Sequence, residues 1–245
     1  MEVIKIDSKK VKMVAHRGLS GIEVENTIDA FNLASKHTYF GIETDIHVTL
    51  DGKYIVHHDD NLERICGVDM VIEETNYDDL RKIKVINKDG YFTKEMYLPS
   101  LEEYISICRD NKKISVLELK NQMKEENIIE IVNIVKNLNH YHNTIFISFS
   151  PENIVCLKKN FTDINTQFLS VVDTDEKKRD VLNFAIETKC DLDLHYGGIT
   201  YEFVKDCHNN GIVLNVWTVD DPILAEKLIN MGVDFITSNI GPLKI

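Results

Sequence analysis

The sequence predicts an α/β fold in which short apolar strands alternate with amphipathic helices along the chain. Two observations lead to this prediction. About eight short apolar runs recur from end to end, and most are separated by a segment long enough for a helical crossover between parallel strands. The chain has 245 residues, and eight β/α units in roughly 250 residues are typical of a TIM (β/α)8 barrel.

The strands of this barrel are predicted from runs of apolar and β-branched residues. In chain order the runs are 11–15, 40–45, 114–117, 144–147, 167–172, 191–194, 212–216 and 234–237. The helices between them are indicated by caps and by periodicity. Thr27 caps a helix after the first strand, Pro151 opens another, and Asp221-Pro222 starts the last, which ends before Gly232. Apolar residues at the spacing of a helix face are Ile128, Ile131, Val132, Val135 and Leu138.

One segment, about 50–98, departs from the alternation. It contains a short apolar run at 53–56, a Gly67 turn and a polar run at 73–76, so it is predicted to be a small insertion after the second strand. No linker, internal repeat or low-complexity tract divides the chain, and we expect a single domain over residues 1–245. A doubly wound open sheet is the alternative fold, and the absence of a Gly-rich phosphate loop after the first strand counts against it.

Composition and charge exclude several classes of protein. The chain is 43% hydrophobic and 28% charged, as in globular proteins, and 28 basic against 40 acidic residues give a net charge of −12. This balance argues against broad contacts with nucleic acid or an anionic membrane. No apolar run is long enough to span a bilayer. Glu2 and Asp7 lie where a secretory signal would need its apolar core. We therefore expect a soluble, cytoplasmic protein without stable membrane association.

The five cysteines indicate neither a zinc site nor a disulfide framework. They are an odd number, scattered along the chain, and no C-x-x-C pair occurs among Cys66, Cys108, Cys156, Cys190 and Cys207.

Polar residues that could carry chemistry follow the predicted strands. His16-Arg17-Gly18 comes directly after the first strand. Glu43 and Asp45 end the second strand two residues apart, so their side chains share one face, and Glu118 and Lys120 repeat this arrangement after the third. In a TIM barrel, the carboxyl ends of the strands form the active-site face. These groups are therefore predicted to lie together.

This set of residues suits hydrolysis of a phosphoester. Glu43, Asp45 and Glu118 offer carboxylate oxygens, the ligands that Mg²⁺ or Ca²⁺ prefers. Arg17 and Lys120 add positive charge for a phosphate. His16 and His58, the latter at the end of the hairpin-like stretch in the insertion, titrate near neutrality and can move protons.

Other interpretations of single residues remain open at this point. Glu118 and Lys120 could simply form an ion pair, and Trp217 could be a core residue. His57 is predicted to face away from the side that His58 faces, because side chains alternate along a strand. His47 lies near the predicted site without an assigned role.

The order and spacing of these motifs resemble the glycerophosphodiester phosphodiesterase family over nearly the whole chain. The motifs are His16-Arg17-Gly18, Glu25-Asn26-Thr27, Glu43-x-Asp45, Thr49-x-Asp51-Gly52, Val56-x-His58-Asp59, 98–103, Glu118-Leu119-Lys120, 147–149, 216–219 and 232–237.

The resemblance implies a TIM barrel with an insertion after the second strand. It also implies hydrolysis of glycerophosphodiesters to sn-glycerol 3-phosphate and an alcohol, with one divalent metal ion, in glycerophospholipid breakdown. The roles it implies are catalysis by His16 and His58, metal binding by Glu43, Asp45 and Glu118, phosphate binding by Arg17 and Lys120, a glycerol pocket lined by Trp217, and orientation of the cluster by Glu25.

One motif departs from the family pattern. Relatives commonly have Thr-Asp-x-Pro after the eighth strand, whereas this chain has Thr237-Ser238-Asn239-Ile240-Gly241-Pro242. The difference concerns the pocket floor and not the metal ligands or the histidines. The sequence leaves open the alcohol, the choice between Mg²⁺ and Ca²⁺, attack by water or by the substrate's own hydroxyl, and a monomer or a homodimer. The expected partner is a small soluble diester.

Three rival functions are less consistent with the motifs. An amidohydrolase-type barrel would need a His-x-His pair after the first strand, where this chain has His16-Arg17-Gly18. A barrel phospholipase acting on intact lipids would need an apolar loop facing the membrane, and the insertion shows none. A non-catalytic phosphate-binding barrel predicts the loss of a metal ligand or a catalytic histidine, yet all five matching positions are filled.

Overall fold

The computed structural model describes residues 4–6, 11–86 and 92–244. Residues 1–3 and 7–10 of the N-terminal segment, 87–91 of the predicted insertion, and 245 lie outside the described residues. The strands are β1 (Ile4–Ile6), β2 (Lys12–Ala15), β3 (Gly41–Val48), β4 (Tyr54–Val56), β5 (Lys84–Ile86), β6 (Phe92–Tyr97), β7 (Ile114–Leu119), β8 (Thr144–Ser148), β9 (Asn165–Ser170), β10 (Asp191–His195), β11 (Leu214–Trp217), β12 (Phe235–Ser238) and β13 (Pro242–Lys244).

The α-helices of the described residues surround and connect these strands. They are α1 (Ile28–Ser35), α2 (Glu63–Cys66), α3 (Tyr77–Leu80), α4 (Leu101–Asp110), α5 (Glu125–Asn137), α6 (Pro151–Asn160), α7 (Asp175–Thr188), α8 (Tyr201–Asn209) and α9 (Pro222–Met231). Three short 3₁₀ turns add to them at Ile72–Glu74, Tyr141–Asn143 and Tyr196–Gly198.

Eight parallel strands close into a barrel. Around the barrel they follow the order β2, β3, β7, β8, β9, β10, β11 and β12, and β12 pairs again with β2. The closure confirms the predicted TIM barrel and excludes the doubly wound open sheet. The register between β3 and β7 places Asp45 directly beside Glu118, with Glu43 beside Val116. Since both strands end at the same face, their acidic residues arrive there together.

The helix signals predicted from the sequence are present. Thr27 accepts a hydrogen bond from the Ala30 amide at the start of α1, and Asp221 accepts one from the Ile223 amide at the start of α9. Gly232 ends α9 with φ of 96°, a conformation that glycine adopts at little cost. The apolar face of α5 is buried at Ile128, Ile131, Val132 and Val135, as the periodicity predicts.

Helices α4 and α8 are among the helices for which no individual signal is given above. Helix α4 begins with a capping box: the Ser100 side chain accepts from the Glu103 amide, and the Glu103 carboxylate accepts from the Ser100 amide. Its Tyr104 is fully buried and donates a hydrogen bond to the Ile42 carbonyl of β3. This helix therefore fixes the strand that carries Glu43 and Asp45.

The insertion lies between β3 and α4, as predicted. Strand β4 runs antiparallel to β3, with Val56 beside Ile46, and β5 and β6 form a separate two-stranded antiparallel sheet. A small apolar cluster holds this part against the barrel: Val24 comes from the segment between β2 and α1, and the other members are Ile55, Leu62, Cys66, Ile72, Leu80, Val85, Met96 and Leu98. Because β4 leads directly into His57 and His58, the insertion brings residues to the mouth of the barrel.

The large core lies between the barrel and its helices, and a second apolar cluster lies inside the barrel. The inner cluster contains Val14, Val116, Ile147, Leu169 and Phe235. Side chains alternate along a strand, so Val116 and Glu118 share the inner face of β7. The inside of the barrel is thus apolar beneath the acidic residues, which lie at the carboxyl ends of β3 and β7. Within the described residues, no helix combines the length and apolar composition needed to cross a membrane.

Candidate active site

A cavity of about 260 Å³ opens where the barrel strands end. Its lining includes the predicted site residues His16, Arg17, Glu43, His58, Glu118 and Trp217. Asp45 and Lys120 lie behind this lining, in contact with it through Arg17 and Glu118. The structure therefore brings together residues from β2, β3, β7, β11 and the insertion.

Three buried carboxylates form the acidic part of the site. One oxygen from each of Glu43, Asp45 and Glu118 lies within 4.8 Å of the others. Burial, together with the charge of Asp45, raises the pKa of Glu118 to about 7 and the pKa of Glu43 well above its usual range. Burial opposes ionisation of Asp45 too, but the charges of Lys120 and Arg17 lower its pKa to about 2.

This cluster fits a hard divalent cation. Its donors are all oxygens, as Mg²⁺ and Ca²⁺ require. The buried Oδ1 of Asp45 has no hydrogen-bond partner among the described residues, which is costly for a polar atom unless something else meets it. The donor set and the oxygen without a hydrogen bond are both consistent with a bound cation.

Two cations flank the carboxylates. The Arg17 amide donates to Glu43 Oε2 at 2.8 Å, its Nη1 donates to Glu25 Oε1 at 2.8 Å, and its Nε lies 3.6 Å from Asp45 Oδ2. The buried Nε makes no hydrogen bond with the described residues. Lys120 Nζ lies 2.9 Å from Glu118 Oε1 and 3.6 Å from Asp45 Oδ1. The ion pair between Lys120 and Glu118, which the sequence left as an alternative, is therefore present within the acidic cluster.

The turn after β2 has a backbone that depends on glycine. Arg17 and Gly18 adopt φ of 54° and 79°. A Cβ at Gly18 would lie 2.7 Å from the Ala30 backbone of helix α1, so only glycine lets the turn approach the helix this closely. The turn presents the Arg17 amide to Glu43 as a result.

His16 is half-buried and held by a neutral partner. Its Nδ1 lies 2.8 Å from Asn239 Oδ1, which accepts the hydrogen of Nδ1 and leaves Nε2 with a free lone pair. Burial, followed by the charge of Arg17, lowers the pKa of His16 to about 4. His16 is therefore a neutral imidazole at physiological pH.

His58 is held by a charged partner. Its Nδ1 lies 2.7 Å from Asp59 Oδ1, so this ring also keeps its hydrogen on Nδ1. Burial is the largest cause that lowers the pKa of His58, while Asp45 and Asp59 act in the opposite direction. The two histidines thus have the same tautomer but differ in the charge of the group behind them.

The neighbouring histidines take other positions. His57 and His47 are fully buried, and neither is among the described residues that line the cavity. This placement agrees with the prediction that His57 faces away from the site. His47 Nε2 lies 3.4 Å from the His58 backbone carbonyl, so it supports the segment that carries His58.

The opposite wall of the cavity is aromatic. Trp217, at the end of β11, packs edge-to-face on Phe149 and His195 with ring centroids 5.6 and 5.4 Å away. Its Nε1 donates to the Asp193 carbonyl. Trp217 therefore lies on the cavity wall, whereas Glu25 lies outside the cavity against Arg17 and Arg64.

The residues at or beside the cavity that were not predicted from the sequence as site residues include Asp193, Phe149 and Arg64. Asp193 lines the cavity from β10, and burial, together with the charge of Glu118, raises its pKa well above the usual range. The alternation Asp191-Leu192-Asp193-Leu194 was a usable signal, because it predicts an acid on one face of the strand. Arg64 contacts both Glu25 and Asp59, and no local pattern indicated this.

Asp220 binds the segment after β12, where this chain departs from the family pattern. Its Oδ1 accepts from the Ser238 hydroxyl at 2.9 Å and from the Asn239 amide at 2.8 Å, and its Oδ2 accepts from Asn239 Nδ2 at 2.6 Å. A carboxylate is thus present beside this segment, but it comes from the loop after β11.

Comparison with known proteins gives a consistent result. The model of the "Glycerophosphoryl diester phosphodiesterase family" matches residues 16–240. A glycerophosphodiester phosphodiesterase of Caldanaerobacter subterraneus subsp. tengcongensis is 28% identical over 232 residues, 94% of each chain. One from Bacillus altitudinis is 25% identical and covers 91% of this chain and 92% of its own.

Two solved structures are similar throughout. An Oleispira antarctica phosphodiesterase in complex with the product sn-glycerol-3-phosphate superposes with a TM-score of 0.82 at 26% identity, covering 96% of this chain and 95% of its own. A glycerophosphodiester phosphodiesterase from Parabacteroides distasonis gives a TM-score of 0.77 at 29% identity, with 94% and 93% covered.

Proposed function

The chain belongs to the glycerophosphoryl diester phosphodiesterase family, and from this premise we propose that it hydrolyses glycerophosphodiesters to sn-glycerol 3-phosphate and an alcohol. The observation that carries the proposal is that His16, His58, Arg17 and Glu118 line one cavity beside a buried carboxylate cluster. The Oleispira antarctica relative, solved with sn-glycerol-3-phosphate, supports the choice of substrate. Such an activity belongs to the breakdown of glycerophospholipids.

Glu43, Asp45 and Glu118 are the residues proposed to hold one divalent cation, Mg²⁺ or Ca²⁺. When bound, the cation would supply positive charge that makes the phosphorus easier to attack. The all-oxygen donor set supports this assignment, as does Oδ1 of Asp45, which accepts no hydrogen bond from the described residues.

Arg17 and Lys120 are proposed to bind the phosphate oxygens. The buried Nε of Arg17 has no hydrogen-bond partner among the described residues, so it has a donor to offer an anion. Both side chains are largely buried, and in such a setting a fixed positive charge stabilises the extra negative charge of the transition state more than it would in water.

His16 and His58 are proposed to form the acid/base pair, and their partners favour a division of roles. Burial lowers the pKa of His58, but the Asp59 carboxylate behind it opposes this shift and favours an imidazolium, which suits the group that protonates the leaving alkoxide. Asn239 behind His16 is neutral, and the pKa of about 4 keeps His16 unprotonated, which suits the group that removes a proton from the attacking hydroxyl.

The test is a product assay. The purified chain is incubated with glycerophosphodiesters that differ in the alcohol, with Mg²⁺ or Ca²⁺, and sn-glycerol 3-phosphate is measured with a coupled enzyme. We expect product from at least one diester in the presence of one of the two ions. Absence of product from every diester with either ion would contradict the proposal.

A further inference from the structure

Arg64, on helix α2 of the insertion, has its guanidinium between two carboxylates. Its Nε and Nη2 donate to Asp59 Oδ2 and Oδ1 at 2.6 and 3.1 Å. Its Nη1 and Nη2 donate to Glu25 Oε2 and Oε1 at 3.0 and 2.7 Å. All three guanidinium nitrogens and all four carboxylate oxygens take part, which a planar guanidinium allows.

Each of these carboxylates also contacts a proposed site residue. Asp59 Oδ1 accepts from His58 Nδ1 at 2.7 Å, and Glu25 Oε1 accepts from Arg17 Nη1 at 2.8 Å. The contacts therefore form one continuous series, His58–Asp59–Arg64–Glu25–Arg17, from the insertion to the turn after β2.

We propose that Arg64 is a positioning residue that holds His58 and Arg17 in their working geometry at the same time. The proposal rests on the proposed function, in which His58 transfers a proton and Arg17 binds phosphate. Arg64 itself is not among the described residues that line the cavity. It acts through Asp59 and Glu25.

The physical reason is the shared positive charge. Without Arg64, Asp59 and Glu25 lose their common partner and four hydrogen bonds. Asp59 then holds the His58 ring with a carboxylate that is free to rotate, and Glu25 no longer fixes the Nη1 end of Arg17. Partners behind catalytic groups matter in this way because small errors in orientation cost rate, typically about 10–100-fold.

A contribution to overall stability is expected to be small. The Arg64 side chain is 47% exposed, and exposed ion pairs contribute little to folding. Loss of activity can therefore be separated from loss of fold.

The chain offers a matched control in Arg81. This arginine, also in the insertion, donates to both oxygens of Glu103 at 2.6 and 2.9 Å and to the Leu98 carbonyl at 2.6 Å. Its bidentate pair resembles those of Arg64, but neither Arg81 nor Glu103 contacts His58 or Arg17 in the described structure.

The experiment compares Arg64→Gln, Arg64→Lys and Arg81→Gln with the wild type by kcat, KM and melting temperature. We expect Arg64→Gln to lower kcat through His58 and to raise KM through Arg17, with kcat/KM reduced about 10–100-fold. Arg64→Lys retains the positive charge but lacks the planar guanidinium, so its kcat/KM is expected to lie between those of Arg64→Gln and the wild type. Arg81→Gln should stay within about twofold of wild type.

Double variants test the route. Asp59→Asn with Arg64→Gln should lower kcat little more than the more damaging of the two changes alone, because both act on His58 through one contact series. Additive losses would overturn the proposal. So would wild-type kinetics in Arg64→Gln, or equal losses in Arg64→Gln and Arg81→Gln.

Failure of the proposed function is recognised separately. If the wild type releases no sn-glycerol 3-phosphate, that function is wrong, and binding of sn-glycerol 3-phosphate by calorimetry then tests the Arg17 branch. Weaker binding by Arg64→Gln than by wild type and Arg81→Gln supports the positioning role, and equal binding overturns it.

Discussion

Asn239 Oδ1 lies 2.8 Å from Nδ1 of His16, although the two residues are 223 positions apart in the chain. Asp220 holds the amide in place, because it accepts hydrogen bonds from both the backbone and the side chain of Asn239. The carboxylate thereby orients Oδ1 toward the imidazole. The neutral Asn239 side chain, which Asp220 fixes in place, therefore keeps the hydrogen of the His16 ring on Nδ1.

The first prediction concerns this arrangement. In Asn239→Asp, the new carboxylate would face Asp220 at the position where Nδ2 now donates at 2.6 Å. We expect a loss of about 1–3 kcal/mol in unfolding free energy at pH 7.5, measured by urea denaturation. The loss should shrink near pH 4, where carboxyl groups take up protons. Ser238→Ala, which removes one bond to Asp220 without adding charge, should cost less. Equal stability of Asn239→Asp and wild type at pH 7.5 would refute this prediction.

The second prediction separates the two histidines. His16→Ala and His58→Ala should each lower kcat for a glycerophosphodiester by about 10²–10⁴. With a p-nitrophenyl ester of glycerol phosphate, whose leaving group needs no proton, His58→Ala should regain most of its rate and His16→Ala should not. His142→Ala, on an exposed residue, serves as the control. The same response of both variants to the leaving group would contradict the assigned roles.

The third prediction concerns metal and pH. Metal binding requires ionised carboxylates, and the pKa of Glu118 is raised to about 7. Below pH 7 a cation has to displace this proton, and Glu43, whose pKa is also raised, adds to the effect, so the apparent affinity should be at least about tenfold weaker at pH 6 than at pH 8. Calorimetric titration with Mg²⁺ or Ca²⁺ measures this, and EDTA should abolish activity. Glu118→Gln should bind more weakly and with less pH dependence. An affinity that is the same at both pH values would exclude this linkage.

The fourth prediction concerns stability and pH at Asp193. Burial raises its pKa well above the usual range, so ionisation costs more in the folded than in the unfolded chain. Above the unfolded pKa of about 3.9, Asp193 therefore contributes a loss of stability as pH rises, and this contribution is absent from Asp193→Asn. The melting temperature of Asp193→Asn relative to wild type, measured in EDTA, should increase between pH 4 and pH 8. Asp180→Asn on the exposed face of α7 is the control. A difference that stays constant with pH would rule out a buried ionisation.

The barrel and its acidic cluster could be predicted because both depend on local pattern. Apolar runs predict the strands, and the alternation of side chains along a strand places Glu43 and Asp45 on one face. The parallel topology then carries Glu118 to the same edge. Only the register, which sets Asp45 beside Glu118, had to come from the structure.

The parts that could not be predicted depend on contacts between distant segments. Arg64 acquires its position from the fold of the insertion, and Asn239 acquires its role from the loop that carries Asp220. Helix α4 was missed although Ser100 and Glu103 carry a capping signal. No spacing rule in one sequence links residues whose proximity is created by tertiary packing.

The apolar cluster of the insertion includes Val24 from the segment between β2 and α1, and Tyr54 and Val56 of β4 belong to the large core. His58 belongs to the insertion, while His16 and the three carboxylates belong to the barrel. The distance between the two histidines proposed to transfer protons therefore depends on how the insertion packs against the barrel, at contacts that lie away from the cavity itself.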